Sequence, residues 1–212
     1  MFTGIIEEIG KIKKISPIPG GKRLSIFCES ILDDLKVDDS VSVNGICLTA
    51  VNVGENYFDV EAVGETLTKT TINNFREGTH VNLERALKAN SRLGGHFVMG
   101  HVNGIGKLTK VIPRGDAYLL EFSLPANLMK YCIDEGSIAI NGISLTIAKA
   151  YRASVAISII PHTWQNTVLR YLKTGDTVNV EVDMLAKYLE RLISYNKQNS
   201  EFTIERLKEE GF

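Results

Sequence analysis

The chain has 212 residues, in which 24 Lys and Arg are almost balanced by 25 Asp and Glu, so the formal net charge is −1. This balance excludes the strong positive field of proteins that bind nucleic acid or anionic membranes. No secretory signal is expected, because Glu7 and Glu8 follow the N-terminus closely, and no apolar run reaches membrane-spanning length. We therefore expect a cytoplasmic protein of one large or two modest domains, with a small and roughly neutral partner.

The histidines and cysteines give no sign of a metal site. Cys28, Cys47 and Cys132 are an odd number and widely spaced, which argues against a disulfide framework and against a cysteine-ligated zinc. His96 and His101 have no carboxylate or thiol nearby in the sequence, so they are a poor ligand set as well. We predict that no metal is bound and that the compartment is reducing.

An internal repeat covers almost the whole chain. Residues 40–49 (SVSVNGICLT) match residues 137–146 (SIAINGISLT), which lie 97 positions later. Residues 4–12 match residues 100–108 at a shift of 96. The repeat predicts two similar domains with two similar pockets, an arrangement that suits a protein handling two molecules of similar shape.

Both copies show the pattern of short strands, because apolar and polar residues alternate between clusters of Gly, Asn, Asp and Pro. In the first copy the predicted strands are residues 11–15, 24–28, 40–43, 48–53, 57–63 and 79–83, with a helical turn at 30–35. In the second copy they are residues 107–111, 118–123, 137–140, 145–151, 154–160 and 177–182, with a helical turn at 127–132. Six short strands bury an interior when they close into a small barrel, which also removes exposed edges.

The predicted fold class is all-β: two tandem six-stranded antiparallel Greek-key-like barrels from an internal duplication, plus a C-terminal α-helix. We place the domains at residues 1–97, 98–183 and 184–212, since the paired glycines at 94 and 95 fit a crossover between the barrels.

The predicted C-terminal helix begins after Asp183, where the apolar period changes to that of a helix. The apolar positions are Leu185, Leu189, Leu192 and Ile193. Such a helix either covers its own barrel or packs against other subunits. Residues 201–212 are charged and are interpreted as a further short helix or a frayed end.

Polar residues at equivalent places in the two copies are the candidates for chemistry. Cys47 and Thr49 correspond to Ser144 and Thr146, and strand alternation puts both members of each pair on one face. If that face is the interior or the mouth of the barrel, each copy presents a thiol or hydroxyl beside a second hydroxyl to a ligand. The alternative is that these are ordinary strand residues, since Thr is common in strands and Cys is commonly buried.

One histidine breaks the symmetry between the copies. His101 stands where the first copy has Ile5. A histidine exchanges protons near neutral pH, and an asymmetric reaction between two similar molecules needs such a difference. A single histidine in a turn also has an ordinary structural explanation, which remains open at this point.

A set of motifs extends from residue 1 to about residue 195: residues 1–5 (MFTGI), 44–49 (NGICLT), 65–67 (ETL), 81–86 (VNLERA), 94–96 (GGH), 100–101 (GH) and 141–146 (NGISLT). In their order and spacing these motifs resemble riboflavin synthase of the alpha-chain type. The resemblance implies the final step of riboflavin biosynthesis, in which one 6,7-dimethyl-8-ribityllumazine donates a four-carbon unit to another. The products are riboflavin and 5-amino-6-(D-ribitylamino)uracil. The lumazine ring is its own electron sink, so the resemblance implies no cofactor.

The resemblance also implies which residues form two lumazine pockets. The first pocket would consist of Gly4, Ile5, Ile6, Cys47, Leu48, Thr49, Glu61, Ala62, Val63, Gly64, Glu65 and Thr66. The second would consist of His101, Val102, Asn103, Gly136, Ser144, Leu145, Thr146, Ile160, Pro161, His162, Thr163, Trp164 and Gln165. Strand amides and carbonyls would bind the pyrimidinedione edge, and Glu65, Thr66 and their counterparts His162 and Thr163 would meet the ribityl hydroxyls. For proton transfer or activation of water the implied residues are Cys47, His101, Ser144 and Asp183.

The resemblance implies a homotrimer held through the C-terminal helix, with each catalytic site between the first barrel of one subunit and the second barrel of its neighbour.

The chain departs from the family at one position. Many relatives carry a lysine directly before Gly136, where this chain has Glu135. The reversed charge is expected to alter affinity or pH dependence without removing activity.

Two other classes of function are kept as alternatives. Lumazine-binding antenna proteins share the duplicated barrel but lose much of the polar set that this chain retains. A barrel that binds oligonucleotides would need a basic face rich in aromatic residues, whereas Trp164 is the only tryptophan here.

Overall fold

Two closed antiparallel barrels of six strands each make up most of the protein, as the repeat predicts. The computed structural model describes residues 1–199. The first barrel contains β1 (Glu8–Ile18), β2 (Gly21–Phe27), β3 (Ser40–Val43), β4 (Ile46–Val53), β5 (Tyr57–Val63) and β6 (His80–Arg85). The second contains β7 (Gly104–Arg114), β8 (Ala117–Ser123), β9 (Ser137–Ile140), β10 (Ile143–Ala150), β11 (Ser154–Ile159) and β12 (Thr177–Val182). The cyclic order is β1-β2-β5-β4-β3-β6 in the first barrel and β7-β8-β11-β10-β9-β12 in the second, so the two topologies are the same.

Short helices connect the strands at equivalent places in the two barrels. They are α1 (Glu65–Lys69), α2 (Ala126–Met129) and α3 (Pro161–Gln165), with 3₁₀ helices at Ser30–Asp33, Thr71–Asn74 and Val168–Tyr171. The turns predicted at 30–35 and 127–132 are present as a 3₁₀ helix and α2. Helices α1 and α3 were not predicted, because one turn of helix is too short to show a periodic pattern.

Each barrel has its own apolar core. The largest fully buried side chains of the first core include Phe58, Leu24 and Ile26, and those of the second include Phe122 and Leu120. Buried and more exposed side chains alternate at the start of β4 and β10, because successive side chains of a strand point to opposite faces. Each barrel is therefore a filled core, and a ligand has to bind on its outer surface.

The C-terminal helix α4 (Met184–Asn199) follows β12 directly. Asp183 caps its first turn by accepting a hydrogen bond from the Leu185 amide at 2.9 Å. Glu190 joins the helix to the second barrel through Lys130 and the hydroxyl of Tyr131. The predicted apolar stripe of Leu185, Leu189, Leu192 and Ile193 is exposed. The helix predicted within residues 201–212 lies outside the described residues.

Within the described part of the chain, no helix has the length and apolar character needed to span a membrane.

Four asparagines are buried where the two barrels meet. They are Asn44 and Asn82 of the first barrel and the equivalent residues Asn141 and Asn179 of the second. The turns at Asn44 and Asn141 contact each other so closely that a Cβ atom on Gly45 would lie 2.6 Å from the Gly142 nitrogen. The Asn82 side chain donates to the Asn141 carbonyl at 2.9 Å and accepts from the Val168 amide at 2.8 Å.

Asn179, the equivalent residue of the second barrel, forms the corresponding two hydrogen bonds. It donates to the Asn44 carbonyl at 2.8 Å and accepts from the Thr71 amide at 2.8 Å. Backbone groups that are buried between domains need hydrogen-bond partners. The side chains of Asn82 and Asn179 provide these partners, one from each barrel.

Replacing Asn82 by Ala is expected to lower the free energy of unfolding by roughly 2–4 kcal/mol, because the Val168 amide and the Asn141 carbonyl lose their buried partner. Chemical denaturation at fixed protein concentration measures the change. Asn56→Ala, at an exposed position, serves as the matched control and should change stability by less than about 0.5 kcal/mol. Equal effects of the two substitutions would contradict the role of Asn82.

Candidate functional site

The peptide segment that precedes each barrel binds to the other barrel. The Ser144 amide in β10 donates to the Gly4 carbonyl at 2.8 Å, and the Cys47 amide in β4 donates to the Gly100 carbonyl at 2.9 Å. Farther out, Ile6 packs against the core of the second barrel and Val102 against the core of the first. Each half of the chain therefore supplies part of the surface around the other half's candidate residue.

The two segments also pair with each other. Phe2 and Val98 exchange two backbone hydrogen bonds, at 2.7 and 3.1 Å. Both side chains are fully buried, in a small cluster with Ala139 that Cys47 contacts. This contact fixes the paths of the two segments relative to each other.

Glycine is required at the two points where the segments touch the strands. Gly4 and Gly100 have positive φ angles of 77° and 74°. A Cβ atom on Gly4 would lie 2.6 Å from Cβ of Ser144, and one on Gly100 would lie 2.6 Å from Cβ of Cys47. Any other residue would strain the backbone and push the segment away from the pocket.

The first candidate pocket is a cavity of about 410 Å³ beside Cys47. Its lining includes Ile46 and Cys47 of β4, Glu65, Thr66, Lys69 and Thr70 of α1 and its C-terminal end, and Gly100, His101, Val102 and Asn103 from the exchanged segment. Glu65 forms an ion pair with Lys69. The pocket thus combines a thiol, a hydroxyl, a carboxylate and an imidazole.

The second candidate pocket lies around Ser144 and is built from equivalent elements. Ser144 is half-buried on β10, with Gly4, Ile5 and Ile6 next to it in place of the His101 segment. Helix α3 carries His162 and Thr163, in the positions that Glu65 and Thr66 occupy on α1. Trp164 of the same helix stacks on Tyr118 with ring centroids 4.0 Å apart.

The candidate polar residues face outward, so the face that they share is not the one that lines the barrel interior. Leu48 and Leu145 point into the two cores, whereas Cys47 and Ser144 are half-buried on the outer face. Thr49 and Thr146 are exposed on that same outer face. Alternation predicted that the members of each pair share a face, and the filled cores determine which face it is.

The structure groups the N-terminal segments differently from the sequence. Residues 4–6 were assigned to the first pocket but lie against Ser144, and residues 101–103 were assigned to the second pocket but line the cavity beside Cys47. The repeat identifies equivalent segments but carries no information on which barrel a segment contacts.

The other predicted residues lie at the ends of β5 and β11. Ala62 is buried in the first core, Glu61 pairs with Arg23, and Gly64 precedes α1 with a φ of 49°. Val63 and its counterpart Ile160 are 52% and 58% exposed, so both apolar side chains are available to a ligand. Pro161 is the first residue of α3, and Gln165, its last residue, is exposed.

Glu135 and Gly136 form a turn before β9. Glu135 has a positive φ of 64°, and its amide donates to the Ile147 carbonyl at 2.8 Å. The Gly136 amide donates to Ile133 at 3.1 Å and its carbonyl accepts from Ile147 at 2.9 Å. The backbone of Gly136 is therefore already used within the barrel.

His96 is a site residue that the sequence did not indicate. Its Nδ1 lies 2.7 Å from Oγ of Ser144, and the side chain is only 9% exposed. Its Nε2 is buried and has no hydrogen-bond partner among residues 1–199. Burial lowers the pKa of His96 from the ordinary value of 6.5, while the Asp183 carboxylate acts in the opposite direction. Ser144 and His96 thus form a hydrogen-bonded pair able to move a proton.

The two pockets differ in their polar groups. The first has the Cys47 thiol with His101 in the same cavity, and the second has the Ser144 hydroxyl bonded to His96. The sequence carries no signal for the contact between His96 and Ser144, because the two residues are 48 positions apart. Gly95 allows the close approach in the fold, since a Cβ atom there would lie 2.7 Å from Oγ of Ser144.

No cluster of His, Cys, Asp or Glu within the described residues has the arrangement of a metal site.

The imidazole of His96 is expected to titrate below 6.5, since burial disfavours its charged form. The unfolded chain then binds this proton more readily, so His96 makes the free energy of unfolding decrease as the pH falls below 6.5. Two-dimensional NMR of the imidazole nitrogens measures the midpoint. Asp183→Asn is the matched variant and should lower the midpoint further. A midpoint at or above 6.5 in the unmodified protein would contradict the buried neutral imidazole.

Comparison with known proteins identifies the family. The family described as Lumazine binding domain matches residues 3–86 and again residues 99–183. The riboflavin synthase of Bacillus subtilis (strain 168) is 40% identical over 100% of both chains, and that of Photobacterium phosphoreum is 36% identical over 100% of this chain and 99% of its own. Among solved structures, LumP complexed with riboflavin has a TM-score of 0.81 at 28% identity, over 86% of this chain and 99% of that one. The chain belongs to the riboflavin synthase family of proteins with a duplicated lumazine-binding domain.

Proposed function

We propose that this chain catalyses the dismutation of two molecules of 6,7-dimethyl-8-ribityllumazine to riboflavin and 5-amino-6-(D-ribitylamino)uracil. The observation that carries the proposal is the pair of equivalent pockets with different polar groups, in a chain 40% identical over its full length to a riboflavin synthase. Donor and acceptor are the same compound, so the two pockets must be similar in shape and unlike in chemistry.

The reaction needs orientation and a few proton transfers. The two substrates contain the same atoms as the two products, so no oxidant or reductant is required. A base removes a proton from the acidic 7-methyl group of one lumazine, and a nucleophile adds at C7 of the other. Holding two rings in a reactive geometry can be equivalent to concentrations of about 10⁵–10⁸ M, and positioned proton transfer adds roughly 10²–10⁴-fold.

Side chains for these transfers are available in each pocket. We assign the proton transfers and activation of water to Cys47 and His101 in the first pocket, and to Ser144 with His96 and Asp183 in the second. The short distance between Nδ1 of His96 and Oγ of Ser144 supports the second group, at 2.7 Å. Asp183 caps α4, and its carboxylate acts to raise the pKa of His96.

We assign recognition of the ligand to side chains and peptide groups around the outer faces of β4 and β10. We assign the aromatic faces of the lumazines to the exposed apolar side chains Ile5, Val63 and Ile160, because a planar ring can cover them. The ribityl hydroxyls are assigned to Glu65 and Thr66 in one pocket and to His162 and Thr163 in the other. The remaining predicted pocket residues, apart from Gly136, would contribute through their main chain, where peptide groups can bind the pyrimidinedione edge.

The active assembly proposed here is a homotrimer formed through α4. Support comes from the exposed apolar residues of this helix, since side chains such as Leu189 and Leu192 are each 60% exposed in the single chain. In such a trimer the first pocket of one subunit would face the second pocket of the next, which brings two lumazines together.

The proposed domains are residues 1–97, 98–183 and 184–212. Residues 98–103 would line the pocket of the first barrel, although they belong to the second domain.

The protein is expected to act in the cytoplasm, where a reducing environment would keep its three free cysteines, Cys28, Cys47 and Cys132, as thiols.

A second candidate function is binding of a lumazine without turnover. The similarity to LumP, solved with 6,7-dimethyl-8-(1'-D-ribityl) lumazine at a TM-score of 0.78, favours this alternative. The retained pairs of Cys47 with His101 and Ser144 with His96 favour the enzyme, because a carrier needs no groups that move protons.

The purified chain, mixed with 6,7-dimethyl-8-ribityllumazine and no added cofactor, is expected to consume two lumazines for each riboflavin formed. Absorbance and fluorescence follow both compounds, and chromatography recovers the diaminouracil. Tight binding without turnover would support the carrier, and the absence of both would refute the proposed function.

The matched variant for this assay is Ser144→Ala, which removes the hydroxyl bonded to His96. We expect turnover to fall by about 10²-fold or more, while the mass of the assembly is unchanged. Rates equal to those of the unmodified protein would remove Ser144 from the mechanism.

Leu189→Glu with Leu192→Glu is expected to dissociate the trimer and abolish turnover, because two carboxylates would have to be buried in the contact. Light scattering should then give the mass of one chain in place of three. Ser194→Glu, on the opposite face of α4, is the control and should leave the trimer intact. A trimer that survives the double substitution would place the contact elsewhere.

A further inference from the structure

Two buried glutamates hold the exchanged segments. Glu84 of β6 is only 4% exposed. Its Oε1 accepts hydrogen bonds from the Thr3 amide at 2.6 Å and from the Thr3 hydroxyl at 2.7 Å, and its Oε2 accepts from the Gly4 amide at 2.9 Å. All three donors belong to the segment that lies against Ser144.

Glu181 of β12 is the counterpart in the second barrel and is 5% exposed. It accepts from the Met99 amide at 2.6 Å, in the segment that lies against Cys47. Its Oε2 is buried and has no partner in the described part of the chain. The first copy has the hydroxyl of Thr3, which donates to Oε1 of Glu84, where the second copy has Met99, so Glu181 lacks this side-chain donor. The nearby amides of His101 and Gly100 act, like that of Met99, to lower the pKa of Glu181.

Burying a carboxyl group is energetically unfavourable unless the group is hydrogen-bonded. Burial raises the pKa of Glu84 and of Glu181, and the amide groups that donate to them act in the opposite direction. Hydrogen bonds from backbone amides to a carboxylate are short and stronger than neutral ones. A protein that keeps such costly groups at two equivalent positions uses them to fix the backbone they bind.

We propose that Glu84 and Glu181 are positioning residues, each of which fixes the segment that completes the ligand pocket of the opposite barrel. The inference rests on the proposed function only for the identity of the ligand. Glu84 belongs to the first barrel and sets Gly4 and Ile5 beside Ser144 of the second. Glu181 belongs to the second barrel and sets Gly100 and His101 beside Cys47 of the first.

Replacing either glutamate is therefore expected to weaken the pocket on the opposite barrel, which we call a crossed effect. A glutamate that only stabilises its own barrel would, when replaced, loosen that barrel and weaken the pocket on it. A positioning glutamate leaves its own barrel intact and weakens the pocket on the other one. This difference allows the two roles to be separated by experiment.

The first arm of the test uses the full chain without ligand. Amide hydrogen exchange is measured by mass spectrometry for Glu84→Gln, in which an NH₂ group has to face the donors of Thr3 or Gly4. Exchange is expected to accelerate in peptides covering residues 1–7 and 141–150, and to stay unchanged in residues 44–63. Faster exchange throughout the first barrel, or no change in residues 1–7, would overturn the proposal.

The second arm adds riboflavin as the probe and titrates its protection of residues 44–53 and 141–150. Glu84→Gln should weaken binding at the second pocket by at least tenfold and change the first by less than twofold. Glu181→Gln should weaken the first pocket and change the second by less than twofold. Equal losses at both pockets would overturn the inference. If riboflavin protects neither pocket of the unmodified protein, the proposed function fails, and the first arm still decides the role of Glu84.

Two further variants keep the test decisive. Thr3→Val removes one donor and keeps the Glu84 carboxylate, so it should give the same crossed pattern with a smaller loss if Glu84→Gln does not fold. Glu121→Gln, which removes a partly exposed carboxylate from the outside of β8, is the control and should change neither pocket.

Discussion

Each barrel depends on a short peptide segment that the other half of the chain supplies. Two main-chain hydrogen bonds, from the Ser144 amide to Gly4 and from the Cys47 amide to Gly100, hold these segments on the outer faces of β10 and β4. The glycines at both points have positive φ angles and no room for a side chain. Neither barrel has a complete pocket by itself, so the duplication and the candidate sites are parts of one arrangement.

The same arrangement gives two similar pockets with different chemistry. The strands and helices around them are equivalent, but the exchanged segments carry different polar groups: His101 corresponds to Ile5, and Met99 corresponds to Thr3. His96 adds a second difference, because it reaches Ser144 from the peptide that joins the barrels and thus precedes only the second copy. A reaction in which one lumazine donates and an identical one accepts requires this combination of equal shape and unequal proton transfer.

Much of the fold could be predicted from the sequence, because alternation and turn residues are local signals. All twelve strands and the helix after β12 were predicted, and the repeat indicated that the two barrels have the same topology. The orientation of Cys47 could not be predicted, since alternation defines two faces without saying which one is buried. The filled cores of Leu48 and Leu145 settle that question only in three dimensions. The partner barrel of residues 4–6, the bond from His96 to Ser144 and the burial of Glu84 all depend on contacts between halves that are far apart in the sequence.

Each pocket is completed by the opposite half of the chain, and a crystal structure with riboflavin or the lumazine bound would show this contact. A ligand beside Cys47 is expected to contact residues 100–103, and a ligand beside Ser144 is expected to contact residues 4–6. A ligand beside Cys47 that contacts residues 4–6, or one that binds inside a barrel, would contradict this arrangement.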